Sequence, residues 1–262
     1  SPTEVKGAAA MKIKLTREEA LDMLIHFKSP HFTNTRNYVT VCEVDEAWVK
    51  SILPPPLEYD QPIVTFAVSK GDQFSGLVCG VQCRFKDIVG SWGLAYVMDT
   101  DLAVIYGREG LAEPKKLGVT TVVDDGKKYV GTVSRFGQEL LRIEADIAGP
   151  GPEGLGGGSM DNLHFKYSVK ADGTGLEPVH LIDSHFENVS TDAVLMENCT
   201  VKTADSPFDV YGQIPIKRVT ACFAATLDMR GSARYLAEVD PEAFLPWAFF
   251  KHDDYRLTMN ID

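Results

Sequence analysis

Two adjacent lysines, Lys115 and Lys116, sit in the turn-like, apolar segment Tyr106-Gly107-Arg108-Glu109-Gly110-Leu111-Ala112-Glu113-Pro114-Lys115-Lys116-Leu117-Gly118. A lysine amine is a nucleophile when neutral, and burial or a neighbouring cation favours that form by penalising the ammonium. Such an amine can form a Schiff base with a ketone or aldehyde and turn the carbonyl carbon into an electron sink. The competing reading is two solvated surface charges. The chain supplies its own example of that: Lys127-Lys128 follows Asp124-Asp125-Gly126 between two β-like runs and reads as a hairpin turn in water. Pattern alone does not separate the two doublets.

Residues 106–118 resemble the active-site segment of the acetoacetate decarboxylase family, where a Gly-Arg-Glu start leads into Pro-Lys-Lys-Leu-Gly. Arg36-Asn37-Tyr38, Leu53-Pro54-Pro55-Pro56-Leu57-Glu58, Pro62 to Phe66, Ser75-Gly76-Leu77 and Val130-Gly131-Thr132 follow in that family's order. The resemblance covers residues 30–145 and rests mainly on overall length across 165–255. It implies that Lys115 is the Schiff-base lysine and that Lys116 is the second lysine, held in that family to favour the neutral amine. Glu109 and Glu113 both lie near the doublet, where a carboxylate can stabilise an iminium or shuttle protons. Glu109 matches the Gly-Arg-Glu segment and is the preferred candidate. Pro114 fixes one torsion just before Lys115. Arg36 matches an arginine placed to meet a substrate carboxylate, a task suited to two parallel guanidinium donors.

Departures from the pattern redirect the reaction. Decarboxylases of this family carry acidic residues on the strands before the lysine motif, and here Ala67 and Gln82 occupy those places. Gln82 can hydrogen-bond to a substrate but is no acid or base near neutral pH. The chain therefore looks more like the aldolase-dehydratase relatives, in which the lysine makes an enamine from pyruvate, condenses it with an aldehyde and eliminates water. In that reaction a tyrosine or a carboxylate could protonate the new alkoxide, and Tyr255, in the polar tail His252-Asp253-Asp254-Tyr255-Arg256, resembles the tyrosine near the C-terminus of such members. Tyr96, on an apolar strand, is the alternative.

Composition bounds the partners. The 262 residues hold 26 basic and 37 acidic side chains, a net charge of −11, which disfavours nucleic acid or an anionic membrane as partner. No 18-residue apolar run exists, so no membrane span is expected. The N-terminus lacks a basic region followed by an apolar core, so no signal peptide is expected, and Met11 reads as a natural start. Cys42, Cys79, Cys83, Cys199 and Cys222 are too few and scattered for a disulfide scaffold and fit a reducing cytoplasm.

The elements that must hold these residues are mostly strands. Thr16 and Glu19 form a capping box for a helix with Leu21, Leu24 and Ile25 on one face, and Asp45 caps a second that ends at Pro54. A third helix is expected within 235–250. Strands are expected at 38–44, 62–68, 76–85, 92–98, 119–123, 129–135, 139–147, 164–169, 178–187, 194–202 and 216–226. Clean alternation, as in Leu141-Arg142-Ile143-Glu144-Ala145, implies antiparallel sheet with one wet face. The fold expected is mainly β: one domain over 1–262, a curved antiparallel sheet closed into a cone-like barrel with a few peripheral helices, interrupted by a flexible Gly-rich loop at 149–163. The resemblance implies the same fold, assembled as a homo-oligomer.

Other signals fail. His180 and His185 would face opposite sides of a strand, and His26, His31, His164 and His252 lack partners at ligand spacing, so no metal is expected. Neither a phosphate loop, a nucleophile elbow nor a dinucleotide fingerprint occurs, and no cofactor is expected. The sequence reading is a cytoplasmic lyase acting through Lys115 on a small oxo acid, with an aldehyde as second substrate. Decarboxylation of a β-keto acid is the alternative. A non-catalytic ligand-binding barrel is the competing class.

Overall fold

In the β-strand Ser75–Phe85, Leu77, Cys79, Val81 and Cys83 are all fully buried, while Val78 and Gly80 point the other way. That period of two, with both sides covered, is the plan of the whole molecule. The structure, a computed structural model, describes residues 12–259; the expectations for a signal peptide and for Met11 lie outside them.

The elements in chain order are α1 (Arg17–Lys28), β1 (His31–Val44), α2 (Glu46–Ile52), β2 (Glu58–Lys70), β3 (Ser75–Phe85), β4 (Ile88–Met98), α3 (Asp101–Leu111), β5 (Lys115–Leu117), β6 (Val119–Asp124), β7 (Lys128–Arg135), β8 (Gln138–Pro150), β9 (Gly158–Lys166), β10 (Val179–Thr203), β11 (Ile216–Val239) and α4 (Pro241–Phe244). Strands pair in the order β11-β1-β2-β3-β4-β9-β10, and β10 pairs back to β11, which closes a ring of seven. From β10 the sheet continues through β8, β7 and β6. Outward-facing Tyr38, Val64, Phe66, Leu77, Val81 and Trp92 of the ring share the main core with Tyr129, Val133, Leu141 and Ile143 of β7 and β8.

The mainly β, ring-closed expectation holds, with corrections. The sheet is mixed, since β4 runs parallel to both β5 and β9. Two strands expected at 178–187 and 194–202 are one long β10, whose register shifts between Thr191 and Val194. The helix expected within 235–250 gives way to β11 as far as Val239, because Tyr235 and Ala237 pair with β10; helix is left at Pro241–Phe244. Strands claim both ends of the segment 149–163: β8 runs to Pro150 and β9 starts at Gly158, leaving 151–157 between them.

The capping box at Thr16 and Glu19 is present, as is the Asp45 cap on Trp48. Yet α1 has no buried residue, and Leu21, Leu24 and Ile25 are exposed. Periodicity marked a helix there, not its burial. The helix α3 was not foreseen in the turn-rich stretch 101–111; Thr100 caps it by accepting from the Ala103 amide.

Candidate active site

The ring encloses a cavity of about 300 Å³ to which all seven of its strands contribute: Asn37 and Val39 from β1, Ala67 and Ser69 from β2, Val78 from β3, Ser91 and Tyr96 from β4, Asn162 from β9, Phe186 and Asn188 from β10, and Phe223 and Leu227 from β11. These are the inward-facing alternates of strands whose other face forms the main core. The wall is mostly apolar, with Phe32, Phe74, Phe186 and Phe223 among its residues.

Lys115 enters this cavity through a tight reversal. Ala112 ends α3 in the left-handed conformation, φ 55°. The Glu113 amide then returns to the Gly107 carbonyl at 3.1 Å, and the Lys115 amide bonds the Glu113 carbonyl at 2.8 Å across Pro114. This folds Glu113 and Lys115 back against α3, where a Cβ on Gly107 would collide with both side chains. Lys115 is 8% exposed, and its Nζ lies 2.7 Å from Glu113 Oε2. Among the described residues lining the cavity, these two carry its formal charges. The surface-charge reading of Lys115 is thereby removed.

Lys116 points the other way. Its Nζ donates to the Phe208 carbonyl and lies 3.3 Å from Asp253 and 3.5 Å from Asp209. Arg135 completes this cluster, with Nη1 2.8 Å from Asp209 and 3.0 Å from Asp253. Burial pushes the Lys116 amine below its ordinary value, while the two aspartates pull it back. Opposed faces of one strand separate the two amines, so Lys116 does not line the cavity.

The other expected residues divide sharply. Tyr96 pairs in register with Lys115, is buried and lines the cavity; burial carries its phenol well above the usual range, with the Glu113 charge adding to the effect. Glu109 is exposed on another side of α3, where its carbonyl accepts from Lys166. Gln82 donates to Asp60 at 2.7 Å, outside the cavity lining. Arg36 lies on the β1 face opposite Asn37 and Val39, donating to the Asp192 carbonyl over the Tyr38 ring. Tyr255 is 45% exposed beside the His252 ring, also away from the cavity. Strand alternation excludes Arg36, and helical rotation excludes Glu109.

The structure brings Glu113, not the preferred Glu109, to Lys115, together with polar groups that the sequence did not single out. Asn37 donates to the Thr35 carbonyl and accepts from Ser69; Asn162 donates to the Ser184 carbonyl. Asn188 keeps a buried Oδ1 without a partner. His164 lies edge-on to Tyr96 with neither ring nitrogen bonded, and burial lowers its pKa to about 4. The Glu113-Pro114-Lys115 spacing was a signal for Glu113, because a proline-centred reversal brings residues two apart together.

The chain belongs to the acetoacetate decarboxylase family, whose model, described as Acetoacetate decarboxylase (ADC), matches residues 18–238. It is 29% identical over 113 residues to the acetoacetate decarboxylase of Clostridium acetobutylicum, covering 40% of this chain and 46% of that protein. The corresponding protein of Clostridium beijerinckii is 27% identical over 113 residues, with the same coverage. These alignments thus span about half the length of the curated relatives. Among solved structures, acetoacetate decarboxylase from Legionella pneumophila superposes with a TM-score of 0.71 at 16% identity, over 80% of this chain and 88% of the other. The enduracididine biosynthesis enzyme MppR complexed with pyruvate gives 0.63 at 14% identity, over 79% and 90%. At such identities the likeness is one of fold.

Proposed function

We propose that this protein is a cofactor-independent lyase in which Lys115 forms an imine with a small oxo acid. The observation that carries this reading is the Lys115 amine, buried in an apolar cavity with Glu113 as its charged partner. Glu113 takes the proton that frees the amine, which attacks the substrate carbonyl. The carbinolamine then loses water, using a proton from Glu113, and the iminium becomes the electron sink.

Within that class we favour condensation of pyruvate with an aldehyde followed by loss of water. Glu113 removes a methyl proton from the pyruvyl iminium, the enamine carbon attacks the aldehyde, and the alkoxide takes up a proton. Elimination of water and hydrolysis of the imine release an unsaturated oxo acid and Lys115. Two features support this order. The cavity of about 300 Å³ has room for an apolar aldehyde beside pyruvate, and Ala67 leaves uncharged a position that is acidic in decarboxylases of the resemblance. Tyr96, facing Lys115, and the unpaired Asn188 Oδ1 are the groups suited to bind the aldol hydroxyl.

One observation favours the second reading, decarboxylation of a β-keto acid. The lining has no arginine. A carboxylate bound there gives up its hydration against mostly apolar walls, and departure as carbon dioxide relieves that cost. Assembly as a homo-oligomer and residence in the cytoplasm stay within the proposal. Among the described residues, no helix is long and apolar enough to cross a membrane.

Borohydride reduction in the presence of pyruvate tests the imine: one reduced pyruvyl adduct, mapped to Lys115, is expected, and no adduct with either pyruvate or acetoacetate would sink the lyase reading. Parallel incubations with acetoacetate and with pyruvate plus apolar aldehydes separate the two reactions. Condensation gives a near-ultraviolet chromophore with little carbon dioxide, whereas rapid carbon dioxide release from acetoacetate alone would reverse the order.

A further inference from the structure

A second lysine in this protein is buried without a counter-ion. Lys251 follows α4 in the chain, is 7% exposed, and rests its Nζ 3.7 Å from the centre of the Tyr167 ring. Among the described residues, no carboxylate pairs with that ammonium and no acceptor receives its hydrogens. The cations nearest it are Arg108, which donates to the carbonyls of Lys251 at 3.1 Å and Lys115 at 3.3 Å, and Lys166, which donates to the Glu109 carbonyl. Guanidinium and ammonium groups carry more N–H donors than these bonds use.

All three cations line one cavity of about 540 Å³, together with His180, Tyr235 and His252. Glu109 supplies the single carboxylate of that lining. In a chain of net charge −11, this concentration of positive charge is the exception. Its field shows on two groups: burial and then Arg108 lower Lys251 to about 8, and burial, Arg108 and Lys251 lower His252 to about 4. Burial is the larger cause of both shifts, and the neighbouring cations add to it. Elsewhere the buried cations have partners, as Arg135 and Lys116 do with Asp209 and Asp253.

We infer that this cavity is a second ligand site, which binds a small oxyanion between Lys251, Lys166 and Arg108. It is separate from the Lys115 cavity, because Leu111 of α3 lines that one while Arg108 and Glu109 line this one. An oxyanion supplies the missing charge and accepts the spare hydrogens, and inorganic phosphate and acetate represent its two sources, phosphate esters and carboxylic acids. Arg108 connects the pocket to the backbone of Lys115, donating to its carbonyl at 3.3 Å.

Trace labelling with a neutral N-hydroxysuccinimide ester, followed by peptide mapping, reads the neutral fraction of Lys251. At pH 8 a bound oxyanion that raises its pKa by one unit lowers labelling about fivefold. That protection is expected from saturating phosphate or acetate and not from chloride at equal ionic strength. Protection by phosphate alone assigns a phosphate ester, and protection by both assigns the carboxylate class as well. Calorimetric binding of the protective anion is expected to vanish in Lys251→Met and Lys166→Met and to survive in Lys251→Arg, with Lys115 trapping retained throughout. Equal labelling in all three anions, or undiminished binding by Lys251→Met, overturns the inference. Should Lys251→Met fail to fold, labelling of the wild-type protein decides.

Discussion

Lys115 and Lys116 are joined by one peptide bond, yet they occupy opposite kinds of surroundings. The Lys115 side is a cavity with apolar walls, one carboxylate and an Asn188 Oδ1 left without a partner, with His164 buried against Tyr96 nearby. The Lys116 side is a closed ionic cluster in which Asp209, Asp253, Arg135 and the Phe208 carbonyl satisfy one another. The alternation of a three-residue strand is enough to place one amine in an apolar cavity and the other in an ionic cluster. Apolar walls and a partnerless Asn188 Oδ1 mark the first side, and charge compensation marks the second.

The sharpest way to break the comparison is to exchange the roles of the two lysines. Lys115→Met is expected to abolish the borohydride adduct and lower turnover by at least about 10³-fold, because no other amine lines the cavity. Lys116→Met is expected to keep the adduct on Lys115 and to cost about 2 kcal/mol of stability in urea, the scale of a lost charged hydrogen bond. An adduct that persists in Lys115→Met at position 116 would show that the cluster opens.

Glu113→Gln attacks the same side more gently. It keeps the size and one hydrogen bond but removes proton transfer, so imine formation and turnover are expected to slow by about 10²-fold with the adduct still reaching one per chain. Glu109→Gln is the matched control, and its turnover is expected to stay within about twofold because its carboxylate is exposed and outside the cavity lining. Equal losses in the two variants would return Glu109 to the site.

What was legible in the sequence follows the same division. Alternation announced the strands and their buried faces, and the capping residues Thr16 and Asp45 announced two helices, since those signals are local. Closure of the ring was not local: it depends on β10 pairing with β8, β9 and β11 and on the parallel contact of β4 with β9. Those registers join residues distant in the chain, as far as 71 positions for Ser91 with Asn162, and leave no mark on periodicity. The Gly-Arg-Glu segment was legible as important, with Glu109 as its preferred carboxylate. Gly107 makes room for Lys115 and Arg108 clamps its carbonyl, whereas Glu109 offers mainly its backbone. The rotation of α3 settles this, and no helix was expected there.

Acid acts on both sides. His164 is buried behind Tyr96 with a pKa lowered to about 4 by desolvation, while an unfolded histidine titrates near 6.5. Because the unfolded chain binds the proton first, stability is greatest above pH 6.5 and falls as pH drops towards 4, by roughly 3 kcal/mol for a shift of that size. On the Lys116 side, Asp253 is raised by burial but carried below its ordinary value by Arg135 and Lys116. Its contribution is present above the unfolded carboxylate range and is lost as pH falls through its lower folded value. Urea midpoints between pH 7.5 and 4 should therefore decline through two histidines whose pKa values burial lowers, His164 beside Tyr96 and His252 near the Lys116 cluster. His164→Phe is expected to flatten that decline, and an unchanged slope would remove His164 as its source.

The smallest effect expected is at Arg36, and it tests whether one chain completes the site. The resemblance to the decarboxylase family made this guanidinium the grip on a substrate carboxylate. In the fold it lies on the outer face of β1, held by the Asp192 carbonyl and Thr226 Oγ1, while its neighbour Asn37 faces the cavity. A one-residue slip of β1 would be needed to turn it inward, and twelve registered pairs with β11 oppose that slip. Arg36→Met is therefore expected to change KM for pyruvate by less than about twofold, with the adduct on Lys115 unaltered. A rise in KM of about tenfold or more would mean that Arg36 serves a cavity it cannot reach within its own chain. The outer face of β1 would then have to lie against a second copy, and the same variant would lower the assembly state seen by sedimentation. Loss of both together would place the carboxylate grip at an interface between chains; loss of neither leaves Lys115, Glu113 and the polar groups of the ring as the whole of the site.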